Sequence, residues 1–269
     1  MECDVPVIAV VGQKKTGKTY LIERLIKDLT ETGYGVASAK HISEEDFSID
    51  REGTDTWRHF NAGARVVAAV SNAETAVFLK EGFASFSPDK LLHHLDRVDI
   101  LILEGFSRGV LGDGKIAKIV LVRDAADYRR YLELSKGEII GFHSLAPSQE
   151  LSDISVDYSA LVEKVREYVR RGRVSRILGK LPHLDCKECG YASCAEMAEA
   201  ICIGKDGLES CPVLKVDASP RTSIVVNGVK VLMRPFVSEI IRSSVLGMVS
   251  SLKGVSIRGN EELKIEISV

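Results

Sequence analysis

The chain has 269 residues, of which 45% are hydrophobic and 28% are charged, so we expect a packed core and about two domains. Its formal net charge of −2 argues against a protein that coats nucleic acid, and its apolar runs are too short to span a bilayer. Because Glu2 and Asp4 precede the first apolar run, the N-terminus does not look like a secretory signal, and we expect a cytoplasmic protein.

The first apolar run, residues 5–11, is typical of a buried parallel strand. The residues that follow it directly are Gly12-Gln13-Lys14-Lys15-Thr16-Gly17-Lys18-Thr19. They fit G-x-x-x-x-G-K-[ST], the P-loop, whose backbone N–H groups wrap a polyphosphate at a helix N-terminus. We therefore predict a nucleoside triphosphate site in which Lys18 reaches the outer phosphates and the Thr19 hydroxyl binds Mg²⁺.

Apolar periodicity beyond the P-loop predicts helices that alternate with short strands. One helix follows the P-loop, and the others are expected near residues 55–61, from Ser87-Pro88 onward and at residues 158–171. The strands after the first are expected at residues 36–40, 65–70, 75–80, 99–104, 116–123 and 138–142. This alternation indicates an open, mostly parallel α/β sheet, the architecture of a P-loop NTPase.

A carboxylate, Glu104, ends the predicted strand 99–104, which is where P-loop enzymes hold Mg²⁺. We expect Lys18 and Glu104 to be the catalytic residues of the site. The polar stretch from residue 41 into the next helix offers Asp50 and Asp55 as further candidates for Mg²⁺ and Arg58 for phosphate, with surface or capping roles as the alternative. The sequence contains no [NT]-K-x-D motif, so the residues themselves leave GTP and ATP equally open.

Five of the six cysteines lie in the C-terminal part of the chain, and four have a spacing typical of a metal site. That spacing is Cys186-x2-Cys189-x4-Cys194-x16-Cys211-Pro212. In a chain whose N-terminus does not look like a secretory signal, these cysteines favour an iron–sulfur cluster or zinc over a disulfide framework. Zinc sites usually contain two close cysteine pairs or added histidines, so the one close pair here, Cys186 and Cys189, suits zinc poorly. The fifth, Cys202, is expected to be a packed thiol.

The predicted domains are residues 1–172 for nucleotide binding, 173–214 for a basic connector and a small helical cluster domain, and 215–269 for an α+β unit. The basic residues at this boundary indicate a solvated helix face, with a docking patch for an acidic partner or a phosphate-bearing ligand as the alternative. They are Arg170, Arg171, Arg173, Arg176 and Lys180. In the last unit, Asn227-Gly228 predicts a β-hairpin. A helix near residues 236–252 and a final strand at residues 263–269 are expected to complete it.

The residues between the cysteines follow a pattern as well, with Gly190, Ala198, Ile201 and Gly204 at fixed places. Residues 186–212 as a whole resemble the small four-cysteine [4Fe–4S] domain of Rnf-type electron-transport subunits and corrinoid iron–sulfur proteins. The resemblance implies a single [4Fe–4S] cluster held by Cys186, Cys189, Cys194 and Cys211.

Most of the predicted nucleotide-binding domain resembles the MobB family in three segments. They are the P-loop, the strand end Glu104-Gly105-Phe106, and a polar segment with Lys40-His41, Phe47, Asp50, Gly53, Asp55-Thr56-Trp57-Arg58-His59 and Ala62-Gly63-Ala64. The resemblance implies a GTP-binding protein with weak GTPase activity that holds Mg²⁺ near Glu104. It also implies a role beside the guanylyltransferase that joins GMP to molybdopterin, in molybdenum or tungsten cofactor biosynthesis.

Two other functions are compatible with a P-loop and four cysteines in one chain. In the first, ATP hydrolysis gates electron transfer from the [4Fe–4S] cluster to a partner metalloenzyme. In the second, the cluster senses redox state on a scaffold whose C-terminal unit recruits a partner or forms a homodimer. A preference for GTP favours the accessory role, whereas a cluster potential that depends on nucleotide favours the electron carrier.

Overall fold

In a computed structural model of the chain, the described residues are 5–44, 47–79, 86–146, 148–215, 222–253 and 255. The chain divides into two compact units, Met1–Arg173 and Val174–Val269. None of the helices in the described ranges is long and apolar enough to cross a membrane.

The first unit is built from seven strands and six helices within the described residues. The strands are β1 (Val7–Gly12), β2 (Val36–Lys40), β3 (Val66–Val70), β4 (Thr75–Leu79), β5 (Ile100–Glu104), β6 (Ala117–Leu121) and β7 (Ile139–His143). The helices are α1 (Lys18–Glu31), α2 (Asp55–Asn61), α3 (Pro88–Leu92), α4 (Ser107–Val110), α5 (Ala125–Leu134) and α6 (Tyr158–Leu178), whose C-terminal turn belongs to the second unit.

The central sheet consists of five parallel strands in the order β2-β5-β1-β6-β7, which confirms the predicted parallel α/β architecture. Successive residues of β1 point to opposite faces, so both faces of this strand need an apolar partner. Ile8 and Val10 belong to a core that includes residues of α1 and α6. Val7, Ala9 and Val11 belong to a second core with residues of α3, α4 and α5. Burial on both faces explains why residues 5–11 form a continuous apolar run.

Strands β3 and β4 were predicted from the sequence, but they stand outside the central sheet. They pair with each other in an antiparallel hairpin. Only four residues, 71–74, connect them, which is too short for a parallel crossover. Val66, Val70 and Val77 on this hairpin are each more than half exposed.

The helix predicted at residues 158–171 is longer in the structure, because α6 continues through Gly172 to Leu178. A Cβ atom at Gly172 would lie 2.0 Å from Pro6 Cγ, so the glycine here permits close packing and does not end the helix. Arg171 pairs with Glu138 at 2.6 Å, and Arg173 pairs with Asp99 at 3.4 Å. These ion pairs support the solvated helix face over the docking patch.

The second unit contains three helices of its own and a short hairpin within its described residues. These are α7 (Cys194–Cys202), α8 (Pro212–Lys215), β8 (Ile224–Val226), β9 (Val229–Val231) and α9 (Pro235–Ser250). The predicted hairpin forms at Asn227-Gly228, where both residues have positive φ, 50° and 78°. The final strand predicted at residues 263–269 lies outside the described residues. The division of this part of the chain at residue 214 stays a prediction.

Candidate functional site

The P-loop lies between β1 and α1, and two glycines make its path possible. Gly12 ends β1 with a φ of 153°, and a Cβ atom there would lie 2.8 Å from the carbonyl oxygen of Leu121. Gly17 caps α1 in the left-handed conformation, with a φ of 85°. The Thr16 hydroxyl donates to the carbonyl oxygen of Gln13 at 3.0 Å and closes the loop on itself. The loop therefore has the backbone shape that exposes N–H groups at a helix N-terminus.

The ammonium group of Lys18 lies inside this loop. Its Nζ donates to the carbonyl oxygens of Gly12 at 3.0 Å and Gln13 at 2.5 Å. Burial lowers the pKa of Lys18, and the negative charge of Glu104 opposes that shift. In the described contacts, this partly buried ammonium group donates to backbone carbonyls and to no carboxylate, so the site suits the negative charge of a phosphate.

Glu104 and Thr19 meet at the carboxyl end of the sheet. β1 and β5 are parallel neighbours, with Val10 paired to Glu104, and this brings the end of β5 beside the P-loop. The Thr19 hydroxyl donates to Glu104 Oε1 at 2.7 Å, and the carboxylate is 13% exposed. A hydroxyl and a carboxylate are oxygen ligands of the kind Mg²⁺ takes, so this pair fits the cation predicted from the sequence.

The three remaining nucleotide candidates have local side-chain contacts in the described residues. Asp50 Oδ1 accepts hydrogen bonds from the hydroxyls of Thr54 at 2.8 Å and Thr56 at 3.0 Å, at the start of α2. Asp55 and Arg58, both largely exposed, form an ion pair of 3.6 Å within α2. These contacts match the capping and surface alternatives, and a role at the nucleotide stays a prediction for all three residues.

A buried carboxylate beside the P-loop was not predicted from the sequence. Asp127 on α5 is 3% exposed, and its Oδ1 accepts a hydrogen bond of 2.7 Å from Gln13 Nε2. Arg123 Nε donates to Asp127 Oδ2 at 2.8 Å. The hydrogen bond from Arg123 holds the pKa of Asp127 below its usual value, and Gln13 adds to the effect. Its place at the start of the helix after β6 could have indicated Asp127, because β6 pairs with β1 and the carboxyl ends of both strands therefore lie at the P-loop edge of the sheet.

Replacing Asp127 with asparagine is expected to destabilise the protein by about 2 kcal/mol at neutral pH, since a charge-assisted bond to Arg123 is lost. The lowered pKa means that the carboxylate contributes stability above about pH 4 and loses that contribution as the pH falls through its folded-state pKa. The difference between wild type and Asp127→Asn, measured by urea unfolding, should therefore shrink in acid.

The control is Glu163→Gln, which removes an exposed carboxylate that pairs with Arg166 at 2.6 Å. This change should cost less than about 1 kcal/mol, because solvent screens exposed ion pairs. Equal costs for Asp127→Asn and Glu163→Gln would contradict the stabilising role expected for the buried carboxylate.

The four predicted cluster ligands come together in the core of the second unit. Cys194 and Cys211 are buried in one apolar cluster, and the half-buried Cys186 and Cys189 pack against it. None of the four forms a disulfide, and Cys202 is not part of this apolar cluster. Four soft donors gathered by one core fit an iron–sulfur cluster. Among the described residues, no three histidine, cysteine or acidic side chains surround the position of a single metal ion, whereas the four thiolates of a cluster each bind a different iron.

Backbone and polar contacts hold the cysteine-bearing loop in place. Asp185 Oδ1 accepts a hydrogen bond of 2.7 Å from the backbone N–H of Cys194, the first residue of α7. Tyr191 donates its hydroxyl to Asp206 at 3.0 Å and so ties the loop to the segment after α7. These contacts connect the cysteine-bearing loop to the start of α7 and to the segment that follows it.

Comparisons with known proteins agree with both parts of this description. The family model "Molybdopterin guanine dinucleotide synthesis protein B", MobB, matches residues 7–144, and the model "Putative Fe-S cluster" matches residues 181–213. A solved structure titled "Crystal Structure of molybdopterin-guanine biosynthesis protein B (mobB)" has 22% sequence identity and a TM-score of 0.46, over 61% of this chain and 99% of the other.

Two relatives differ in how much of the chain they share. A Methanocaldococcus jannaschii protein named "Putative molybdopterin-guanine dinucleotide biosynthesis adapter protein" is 29% identical over 98% of this chain and 97% of its own. An Escherichia coli molybdopterin-guanine dinucleotide biosynthesis adapter protein is 28% identical over 62% of this chain and 95% of its own. The chain belongs to the MobB family and carries an Fe–S segment after the family domain.

Proposed function

We propose that this protein is a GTP-binding accessory protein, with weak GTPase activity, in the biosynthesis of molybdopterin guanine dinucleotide for molybdenum or tungsten enzymes. The observation that carries the proposal is a P-loop whose Thr19 hydroxyl donates a hydrogen bond of 2.7 Å to Glu104, inside the region that matches the MobB family. The Methanocaldococcus jannaschii adapter is similar to this chain along nearly the whole length of both proteins, including the Fe–S segment, and this similarity supports the same role for this chain.

Each residue of the site has a defined task in this proposal. The backbone of residues 12–19 binds the phosphates, and Lys18 turns from the Gly12 and Gln13 carbonyls to the outer phosphates. Thr19 and Glu104 hold Mg²⁺, which neutralises phosphate charge when it is bound. Hydrolysis by such a site relies on positioning and charge neutralisation, which is consistent with a slow GTPase.

The partners follow from the same role. We propose that the protein acts in the cytoplasm, beside the guanylyltransferase that joins GMP to molybdopterin and other proteins of that pathway. We also propose a homodimer, because Val66, Val70 and Val77 of the β3–β4 hairpin leave apolar surface that a second copy would cover. Sedimentation at micromolar concentration tests this, and a purely monomeric species would contradict it.

Purified protein with Mg²⁺ is expected to bind GTP at least about tenfold more tightly than ATP, a difference of about 1.4 kcal/mol. Guanine preference is the property that separates the accessory role from the alternatives, and titration calorimetry with both nucleotides measures it. A Lys18→Ala variant serves as the baseline for binding outside the P-loop. Equal affinities, or tighter binding of ATP, would contradict the proposal and favour the ATP-gated electron carrier.

The Fe–S segment completes the proposal. We propose that Cys186, Cys189, Cys194 and Cys211 hold one [4Fe–4S] cluster, since their spacing suits zinc poorly and all four lie in or against one apolar core. Anaerobic purification followed by iron, sulfide and zinc analysis distinguishes the two metals. Stoichiometric zinc without iron would contradict the cluster.

A further inference from the structure

Two lysine side chains and one carboxylate meet at the edge of the phosphate site. Lys40 Nζ lies 3.5 Å from Glu104 Oε1, the same oxygen that accepts the Thr19 hydroxyl. Glu104 pairs with Lys40 of β2 on one side and with Val10 of β1, the strand that leads into the P-loop, on the other. Burial lowers the pKa of Lys18, the charge of Glu104 opposes this shift, and the charge of Lys40 adds to it.

The sheet fixes the backbone of Lys40 at this place. Lys40 is the last residue of β2 and the direct partner of Glu104 in the parallel pairing of β2 with β5. The next residue, His41, donates its backbone N–H to the Glu104 carbonyl oxygen at 2.8 Å. A Cβ atom at Gly105 would lie 3.1 Å from the His41 carbonyl oxygen, so the two strand ends are in close contact. Any response of Lys40 to a ligand is consequently a movement of its side chain.

We propose that Lys40 is a specificity-determining residue of this site, whose ammonium group contacts the terminal phosphate of a nucleoside triphosphate and so distinguishes it from the diphosphate. The proposal rests on the nucleotide-binding function proposed above and assigns a residue to it. Lys40 is well placed for this contact because its side chain is 60% exposed, whereas Glu104 is 13% exposed.

Charge balance gives the physical reason. Within the described contacts, one carboxylate, Glu104, faces both Lys18 and Lys40, so these three groups together have a net positive charge. When Glu104 serves as a ligand of Mg²⁺, its negative charge is shared with a dication, and Lys40 loses most of its attraction to Glu104. The charge that replaces it must come from the ligand. A triphosphate offers phosphoryl oxygens beyond those held by the loop, whereas a diphosphate has one phosphate fewer for Lys40 to contact.

The test compares a non-hydrolysable GTP analogue with GDP in titration calorimetry with Mg²⁺, on wild type, Lys40→Met and Lys40→Arg. Methionine keeps the length of the side chain and removes its charge, and the variant should fold because the side chain at this position is exposed. Lys40→Met is expected to bind the triphosphate about tenfold more weakly, as expected for one charge-assisted hydrogen bond. Its affinity for GDP should stay within about threefold of wild type.

Lys40→Arg should recover most of the triphosphate affinity, since arginine keeps the charge. The matched control is Lys27→Met, because Lys27 is also an exposed lysine paired with a glutamate, Glu31, at 3.9 Å. Equal losses for triphosphate and diphosphate in Lys40→Met, or no loss for either, would overturn the proposal. If wild type prefers ATP, the guanine function fails, and the same comparison with an ATP analogue and ADP still decides the role of Lys40.

Discussion

Replacing Lys18 with alanine is expected to weaken GTP binding by about a hundredfold or more, which corresponds to roughly 2.7 kcal/mol. In the described contacts, the ammonium group of this side chain donates to the Gly12 and Gln13 carbonyls. A phosphate oxygen can replace these carbonyls as the acceptor, because it is negatively charged and a carbonyl is neutral. Titration calorimetry with GTP and Mg²⁺ measures the loss.

The control for this prediction is Lys27→Ala on the same helix, α1, since Lys27 is 75% exposed and pairs only with Glu31 in the described contacts. Its effect on GTP affinity should be within about twofold, as for other exposed ion pairs. The melting temperature of Lys18→Ala should not fall, because burial lowers the pKa of Lys18 and its charge is held at a cost to the fold. GTP affinity that survives in Lys18→Ala would place the nucleotide elsewhere.

Replacing Cys189 with alanine is expected to remove the cluster and unfold most of the second unit. Metal binding contributes on the order of 10 kcal/mol to folding in small metal-dependent domains, so a lost ligand removes much of their stability. Cys189 packs against the apolar core that contains Cys194 and Cys211. The variant should lose most of its iron and its visible absorption after anaerobic purification.

Cys202→Ala is the matched control, because Cys202 is half-buried like Cys189 but is not part of the cysteine core. It should keep its iron and its spectrum. GTP binding should survive in Cys189→Ala, since the P-loop belongs to a different compact unit. Iron loss in Cys202→Ala as large as that in Cys189→Ala would contradict the proposed ligand set.

The local elements of the fold were predictable because their patterns lie within short stretches of sequence. β2 and α2 have the predicted bounds. α3 begins at Ser87-Pro88, where the serine side chain caps the helix and the proline occupies the first helical position, at which a backbone N–H would have no partner within the helix. The end of α6 was not predictable in this way. Gly172 looks like a helix end in the sequence, and only the contact with Pro6 explains its presence inside a helix.

Some residues of the candidate sites could also be predicted from local sequence, and others could not. Residues 12–19 could be identified from their spacing because they form one continuous loop, and the four cysteines because they lie in one short segment. Asp50, Asp55 and Arg58 were chosen from their position in a polar segment, and their side-chain contacts in the described residues are local. Composition indicates that a segment is polar, but it does not specify what a polar side chain contacts.

The sequence by itself determined the P-loop, the strand that leads into it and the set of thiols, because their chemistry depends on neighbours in the chain. Only the tertiary structure decided which distant residues surround the loop. Parallel strands order themselves as β2-β5-β1-β6-β7, so Lys40 meets Glu104, and Gln13 meets Asp127 114 positions away. Strand order is a property of the whole sheet and leaves no local periodicity to detect, which is why the contacts of Lys40 with Glu104 and of Asp127 with Gln13 are seen only in the folded chain.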